Sequence, residues 1–358
     1  MLSGIESFLG PTLYEWAFWP AIKILVVVFV GVLPVITYLV LAERKILGFM
    51  QVRTGPNRVG PWGLLQPIAD VMKLLVKEDV IPSQAVRWAF ILAPCLVVGP
   101  ALLIFAVIPF GPAAETGGGA FDWFITDLNV GVLFVVAFAT VGVYGIIVGG
   151  WASNSKFSLL GGLRSAAQMI SYEVPQGFAL VGPLLLAGTM SLQGIVMAQK
   201  EAQMWYVLPQ FVAFFVYFVA GVAESNRNPF DLPEAESELV AGFHTEYTGM
   251  RFALFFLGEY ANMIVISAVA VTLFFGGWLR PFPNVEALAF LDFSFLPAGL
   301  VGVFWFTLKL FAFLFCYIWF RGTFPRYRFD QLMDLGWKWM LPLSLANLFF
   351  TGLVKVLR

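Results

Sequence analysis

The chain has 358 residues, of which 60% are hydrophobic, 17% aromatic and only 12% charged, with 38 Phe and 12 Trp. A soluble protein of this make-up would expose far too much apolar surface to water, whereas a bilayer accepts it, so length here counts membrane spans and not domains. A formal charge of −1 without any basic patch gives no footing for nucleic acid, and two isolated cysteines (Cys95, Cys316) with one histidine (His244) cannot build an iron–sulfur site or a bis-histidine haem.

The N-terminus has no basic n-region or small-residue cleavage site, so the first apolar run is read as retained. A window of about 20 residues predicts an all-α integral membrane protein, one polytopic domain over 1–358. Eight spans fall near 21–42, 88–109, 130–150, 167–190, 207–223, 252–279, 296–319 and 338–357. An even number puts both termini on one side, and Lys/Arg-rich short loops stay cytoplasmic. The loops after spans 1, 3, 5 and 7, with their flanks, hold 15 of the 21 Lys and Arg; the opposite side holds Lys23, Lys200, Arg280, Lys355 and Arg358, and Lys309 lies within span 7. Both termini are therefore expected outside.

After span 1, the Gly and Pro residues between Arg53 and Gly63 force irregular backbone, tolerated at a membrane only where it lines a cavity or packs on protein. An amphipathic helix is expected over 63–77. Gln66, Asp70, Lys73 and Lys77 form one polar stripe, while Leu65, Ile68, Val71, Met72 and Leu75 fill the other faces. Too short to span, it reads as interfacial; an ordinary surface helix is the competing reading. Span 4 carries Glu173 inside an apolar run with Pro175 and Gly177 beside it, which predicts a break or kink next to the carboxyl group.

The loop after span 5 sets Glu224, Asp231, Glu234, Glu236, Glu238 and Glu246 against Arg227 alone. Asp231 with Glu234 forms a capping box and Pro233 suits an early helical position, which accounts for part of that acidity. A solvated acidic face is one reading of the rest; Phe230, Leu239, Val240 and Phe243 favour partial burial. Buried clustered acids raise one another's proton affinity. Glu259 in span 6 joins this set with Glu43, Glu173, Glu224 and the cationic Lys309. Each ionisable group at membrane depth opposes insertion by roughly 2.5–3.5 kcal/mol. Ion pairing could hold them for structural reasons, but acids outnumber plausible basic partners, which points to proton or cation traffic.

Four stretches together carry a family resemblance: ERKILGFMQVRTGPNRVGPWGLLQPIADVMKLLVKE, GGLRSAAQMISYEVP, AESNRNPFDLPEAESELVAGFHTEY and FRGTFPRYRFDQLMDLGWK. From about residue 20 to the end, excepting the 111–128 loop, the chain resembles the H subunit of bacterial respiratory complex I, which is called subunit 1 in mitochondria. Gln176 stands where that family leads one to expect an apolar residue.

The resemblance implies a membrane subunit of a proton-translocating NADH:quinone oxidoreductase that forms the quinone chamber. Quinone, the substrate, would enter between spans 1 and 6 and the amphipathic helix. Arg44, Arg53 and Asp70 carry over as chamber residues. Glu43, Asp231, Glu234, Glu236 and Glu238 match the acidic chain leading from the chamber, Glu173, Glu224 and Glu259 its intramembrane continuation, and Arg227 and Arg326 the balancing cations. No metal or covalently bound cofactor is expected here; flavin and iron–sulfur clusters belong to partner subunits. The implied partners are the peripheral-arm quinone-site and iron–sulfur subunits, the small membrane-arm subunits adjoining the pump modules, and the lipid bilayer. The implied location is the bacterial cytoplasmic (inner) membrane, or the mitochondrial inner membrane if organellar. Rival readings are the related subunit of a membrane-bound hydrogenase or other dehydrogenase, a stand-alone cation transporter, and a structural anchor.

Overall fold

A computed structural model describes residues 19–113, 122–231, 241–282 and 298–357, and the regular structure among these described residues is helix alone, without strands. The first rod is α1 (Trp19–Leu25) and α2 (Leu33–Met50), joined by π-helical turns over Val26–Val32. It runs well past the expected end at residue 42, so Glu43, Arg44 and Lys45 sit on helix and not in a loop. After it come α3 (Gln66–Val76), α4 (Arg87–Ile104) and α5 (Gly131–Ala152). Next are α6 (Lys156–Ala187), α7 (Leu192–Glu201) and α8 (Phe211–Glu224). The last elements are α9 (Gly249–Phe274), α10 (Ala298–Thr323), α11 (Phe329–Asp334) and α12 (Leu341–Leu357), the latter two joined by π-helical Leu335–Met340.

By length and apolarity six described helical stretches can cross a membrane, and the pair α6–α7, bent by 53°, makes a seventh. An eighth was expected over 207–223, but α8 has only 14 residues, about 21 Å of helix against a hydrocarbon core of about 30 Å. The helix begins at Phe211 because the residues before it turn: Leu208 and Gln210 bond back to Trp205 and Tyr206.

Outward apolar surface is the mark of the bilayer. Phe29, Val30, Phe349, Phe350 and Val356 are all exposed, an arrangement water would penalise and lipid does not. Helix α9 is the opposite case. Largely apolar apart from Glu259 and Asn262, it is buried almost continuously from Tyr260 to Phe274 and forms the axis on which α4, α8 and α10 pack.

Two expectations about α6 change. It starts at Lys156 and not near 167, because Gly161 lets it press against the Gly242 backbone, where a Cβ would stand 2.7 Å from Gly242 Cα. It also runs without interruption through Pro175 and Pro183, since a proline removes one hydrogen bond and the neighbouring helices hold the rest in place. The break falls at Gly188, whose φ of +74° is left-handed and ends the helix.

Helix α3 starts at Gln66, three residues later than expected. Gly63 adopts φ +76°, and a Cβ there would lie 2.2 Å from the Pro56 carbonyl oxygen, so the chain must turn before it can coil. Ile68, Val71, Met72, Leu75 and Val76 of α3 all face outward, as an interfacial helix requires. Lys309 is no member of the acidic set. Its Nζ donates to the carbonyls of Phe275 (2.7 Å), Gly277 (2.9 Å) and Leu279 (2.6 Å), and so caps the C-terminus of α9.

Candidate functional site

Glu43 is placed by the inward turn of α2 and is 4% exposed. Tyr260 of α9 donates to its Oε2 at 2.6 Å, while Arg227 Nη1 lies 3.4 Å from Oε1. Arg321, at the end of α10, reaches the same oxygen. The Arg227 guanidinium also lies over the Tyr260 ring, 4.2 Å from its centroid. A buried carboxylate costs several kcal/mol unless paired, and two cations with a phenol meet that cost. Arg227, which the resemblance names as a balancing cation, pairs with this carboxylate, and so does Arg321, which the sequence did not single out. It lies in the same motif as Arg326, and sequence gives no sign of which arginine turns inward.

Arg326 pairs with Asp231 at 3.1 Å. Asp231 is held by the turn that follows α8. Gln168 of α6, fully buried, donates to the carbonyls of Ala223 (2.7 Å) and Phe230 (2.8 Å), fastening both ends of that turn. His244, on the short 3₁₀ turn Gly242–His244, packs edge-on against Phe243 and Phe252. Burial pushes its imidazole down to about 4, against a smaller opposing pull from Asp231, so it is neutral at physiological pH.

The intramembrane acids come together around two cavities. The larger, about 30 Å³, is lined by Glu173 and Gln176 of α6, Tyr217 and Glu224 of α8, and Asn262 of α9. The smaller, about 10 Å³, is lined by Glu224, Asn226, Glu259 and Asn262. Glu224 and Asn262 border both. Glu259 in turn is near enough to Arg227 to act on its charge, so the series runs Glu173, Glu224, Glu259, Arg227, Glu43. No lysine or arginine lines either cavity, and Glu173 Oε1 and Glu224 Oε2 are buried without a hydrogen-bond partner. Carboxyl groups beside water-sized spaces are suited to exchange protons.

Of the chamber residues, Arg44 and Asp70 are brought together. Arg44 Nη1 is 2.6 Å from Asp70 Oδ2, and Gln66 Nε2 donates to Oδ1 at 3.0 Å, which ties α3 to the end of α2. Arg53 stands apart, exposed, with Nε on Gln51 Oε1 at 2.8 Å. Helix α3 touches both α2 and α9. The open apolar grooves, however, lie between the first rod and α10, one of about 490 Å³ beside Tyr38, Leu39 and Phe315 and one of about 240 Å³ beside the π-helical turns. Glu234, Glu236 and Glu238 lie outside the described residues. Among the described residues no group of three His, Cys, Asp or Glu could hold a metal ion.

Comparison with known proteins agrees with this architecture. The family model described as NADH dehydrogenase matches residues 22–352. The NADH-quinone oxidoreductase H subunit of Magnetococcus marinus is 52% identical over 347 residues, covering 97% of this chain and 94% of the relative. The second of the NADH-quinone oxidoreductase H subunits of Geobacter metallireducens is 51% identical, covering 93% of this chain and 94% of the relative. The first of those of Geobacter sulfurreducens is 49% identical over 99% of both chains. With a matching family model over most of its length, and relatives this similar from end to end, the chain belongs to the NADH dehydrogenase family of membrane subunits.

Proposed function

We propose that this chain is the membrane subunit of a proton-pumping NADH:quinone oxidoreductase that frames the quinone chamber and conveys the effect of quinone reduction into the membrane through its acidic residues. Flavin and iron–sulfur clusters sit in partner subunits, which dock on the cytoplasmic face beside α3. The chain lies in the bacterial inner membrane.

Full reduction of a quinone takes up two protons, so charge at the chamber changes with each turnover. Arg44 and Asp70 hold α3 in place at its edge, while Glu43, the residue before Arg44 on α2, is fixed by Arg227, Arg321 and Tyr260. From it the charge change passes to Glu259, then across the two cavities to Glu224 and Glu173. Carboxyl groups bind and release the proton at each station, and the protein walls exclude bulk water. Asp231 with Arg326, and the acids Glu234, Glu236 and Glu238, belong to the chamber end of the path.

One observation carries this reading: four carboxyl-bearing helices (α2, α6, α8 and α9) bring Glu43, Glu173, Glu224 and Glu259 into one series, with cation-free cavities among Glu173, Glu224 and Glu259 and with Arg227 between Glu259 and Glu43. Glu173→Gln in the complete complex tests it. NADH-driven quinone reduction should fall by about tenfold or more, while the complex assembles and NADH still reduces an artificial acceptor at the flavin. Full quinone-linked turnover in that variant rejects the path.

A further inference from the structure

Gln176 lines the larger cavity at a position where the family resemblance leads one to expect an apolar residue. We propose that Gln176 is a positioning residue for the neighbouring acids: its amide stands between Glu173 and Glu224 and governs how the two share a proton. This rests on the proton path proposed above and deepens it at one station.

Gln176 follows Glu173 by three residues on an unbroken helix, so both side chains leave α6 on the same face. Glu224 and Tyr217 come to meet them from α8, and all four border the same cavity. The amide reaches toward both the Glu224 carboxyl and the Tyr217 hydroxyl. Glu173 Oε1, Gln176 Oε1 and Glu224 Oε2 are all buried without a partner. Three acceptors around one space need a donor, because an ionised carboxylate can only accept. A proton on either acid provides one, and the cavity, at about 30 Å³, also exceeds the roughly 10–15 Å³ that a single water occupies.

An amide serves such a station in a way an apolar side chain cannot. Its NH₂ group donates to whichever carboxyl is ionised, and its carbonyl accepts from whichever is protonated. The groups facing it are Glu173 on its own helix and Tyr217 and Glu224 on α8, while the buried hydroxyl of Tyr317 on α10 lies near Glu224. Helix α9 contributes the uncharged Asn262 and α5 the hydroxyl of Thr140, beside Glu173. No cation competes among the residues lining the cavity.

The test compares Gln176→Met, Gln176→Glu and Glu173→Gln in the assembled complex, reading quinone-linked turnover from pH 5 to 10. Methionine keeps the volume and flexibility of glutamine but loses both its donor and its acceptor. A carboxylate stripped of a donor holds its proton more firmly, so the alkaline limb of the profile should move up by about one pH unit. Gln176→Glu, of nearly unchanged shape, replaces the donor with a third acid and should move the limb the same way. Superimposable profiles for both Gln176 variants, with Glu173→Gln impaired, overturn this inference and leave the path standing. Full turnover in Glu173→Gln as well overturns the path itself. If Gln176→Met fails to assemble, Gln176→Glu decides alone.

Discussion

At Glu43 the balance of charge can be read from exposure. Arg227 is 7% exposed and buried beside Tyr260, whereas the Arg321 side chain is 38% exposed and partly screened by solvent. Removing one member of a buried pair costs about 3–5 kcal/mol, while an exposed member contributes about 1 kcal/mol or less. Arg227→Ala should therefore destabilise the assembled complex far more than Arg321→Ala, measured by the temperature at which subunits dissociate in detergent. The reverse order would show that Arg321 is the principal partner. His244 makes a second claim at this scale. With its folded-state value pushed down to about 4 from 6.5, the unfolded chain binds a proton between those pH values that the folded chain does not. Stability is then unaffected above pH 6.5 and falls as pH drops toward 4, by at most about 1.4 kcal/mol per unit. Thermal inactivation of wild type and His244→Gln should diverge below pH 6.5 in their pH dependence and run parallel above it; divergence above pH 6.5 would sink the assignment. The sequence made Glu43 and Arg227 visible because charge inside or beside an apolar run is conspicuous. It could not show Arg321 or Tyr260, since the contacts of Glu43 span 184 to 278 positions along the chain.

Among the elements, helix ends are set by contacts that a hydropathy window does not see. The N-terminal third of α6 is rich in Gly and Ser, which lowers its apolar signal, yet those same small residues allow the close packing that makes it helical. Of the break or kink expected at Pro175, the break does not occur: the packing of α5, α8 and α12 around α6 holds the helix together. Lys309 is the clearest case of one residue type serving two ends. By composition it was a candidate charge for ion traffic; by geometry it satisfies three carbonyls at the end of α9. Lys309→Met leaves those acceptors without their donor, at about 1–3 kcal/mol each at most. Lower yield of assembled complex is expected, with normal quinone-linked turnover in the complex that does form. Normal yield with lost proton pumping would return Lys309 to the acidic set.

For the whole molecule, the question is whether the acids act as one path or as separate devices. Glu43 belongs to the first rod and Glu173 to α6, and between them stand Arg227, Glu259, Glu224 and two cavities. If charge changes pass along this series, a block at one station leaves nothing for a second block to remove. Losses in a serial device are then non-additive, in the way that residues acting as a unit are elsewhere. Glu43→Gln and Glu173→Gln should each lower quinone-linked turnover, and the double variant should be no slower than the slower single one. The comparison is made on complexes matched for assembly and for artificial-acceptor activity, which removes differences in yield. If the two losses instead multiply, each acid acts independently, and the cavities between them are gaps in packing with no part in coupling. A fall to the level of the slower single variant is the outcome the proposed path requires, because along that path α2 and α6 communicate through the carboxyl groups of α8 and α9.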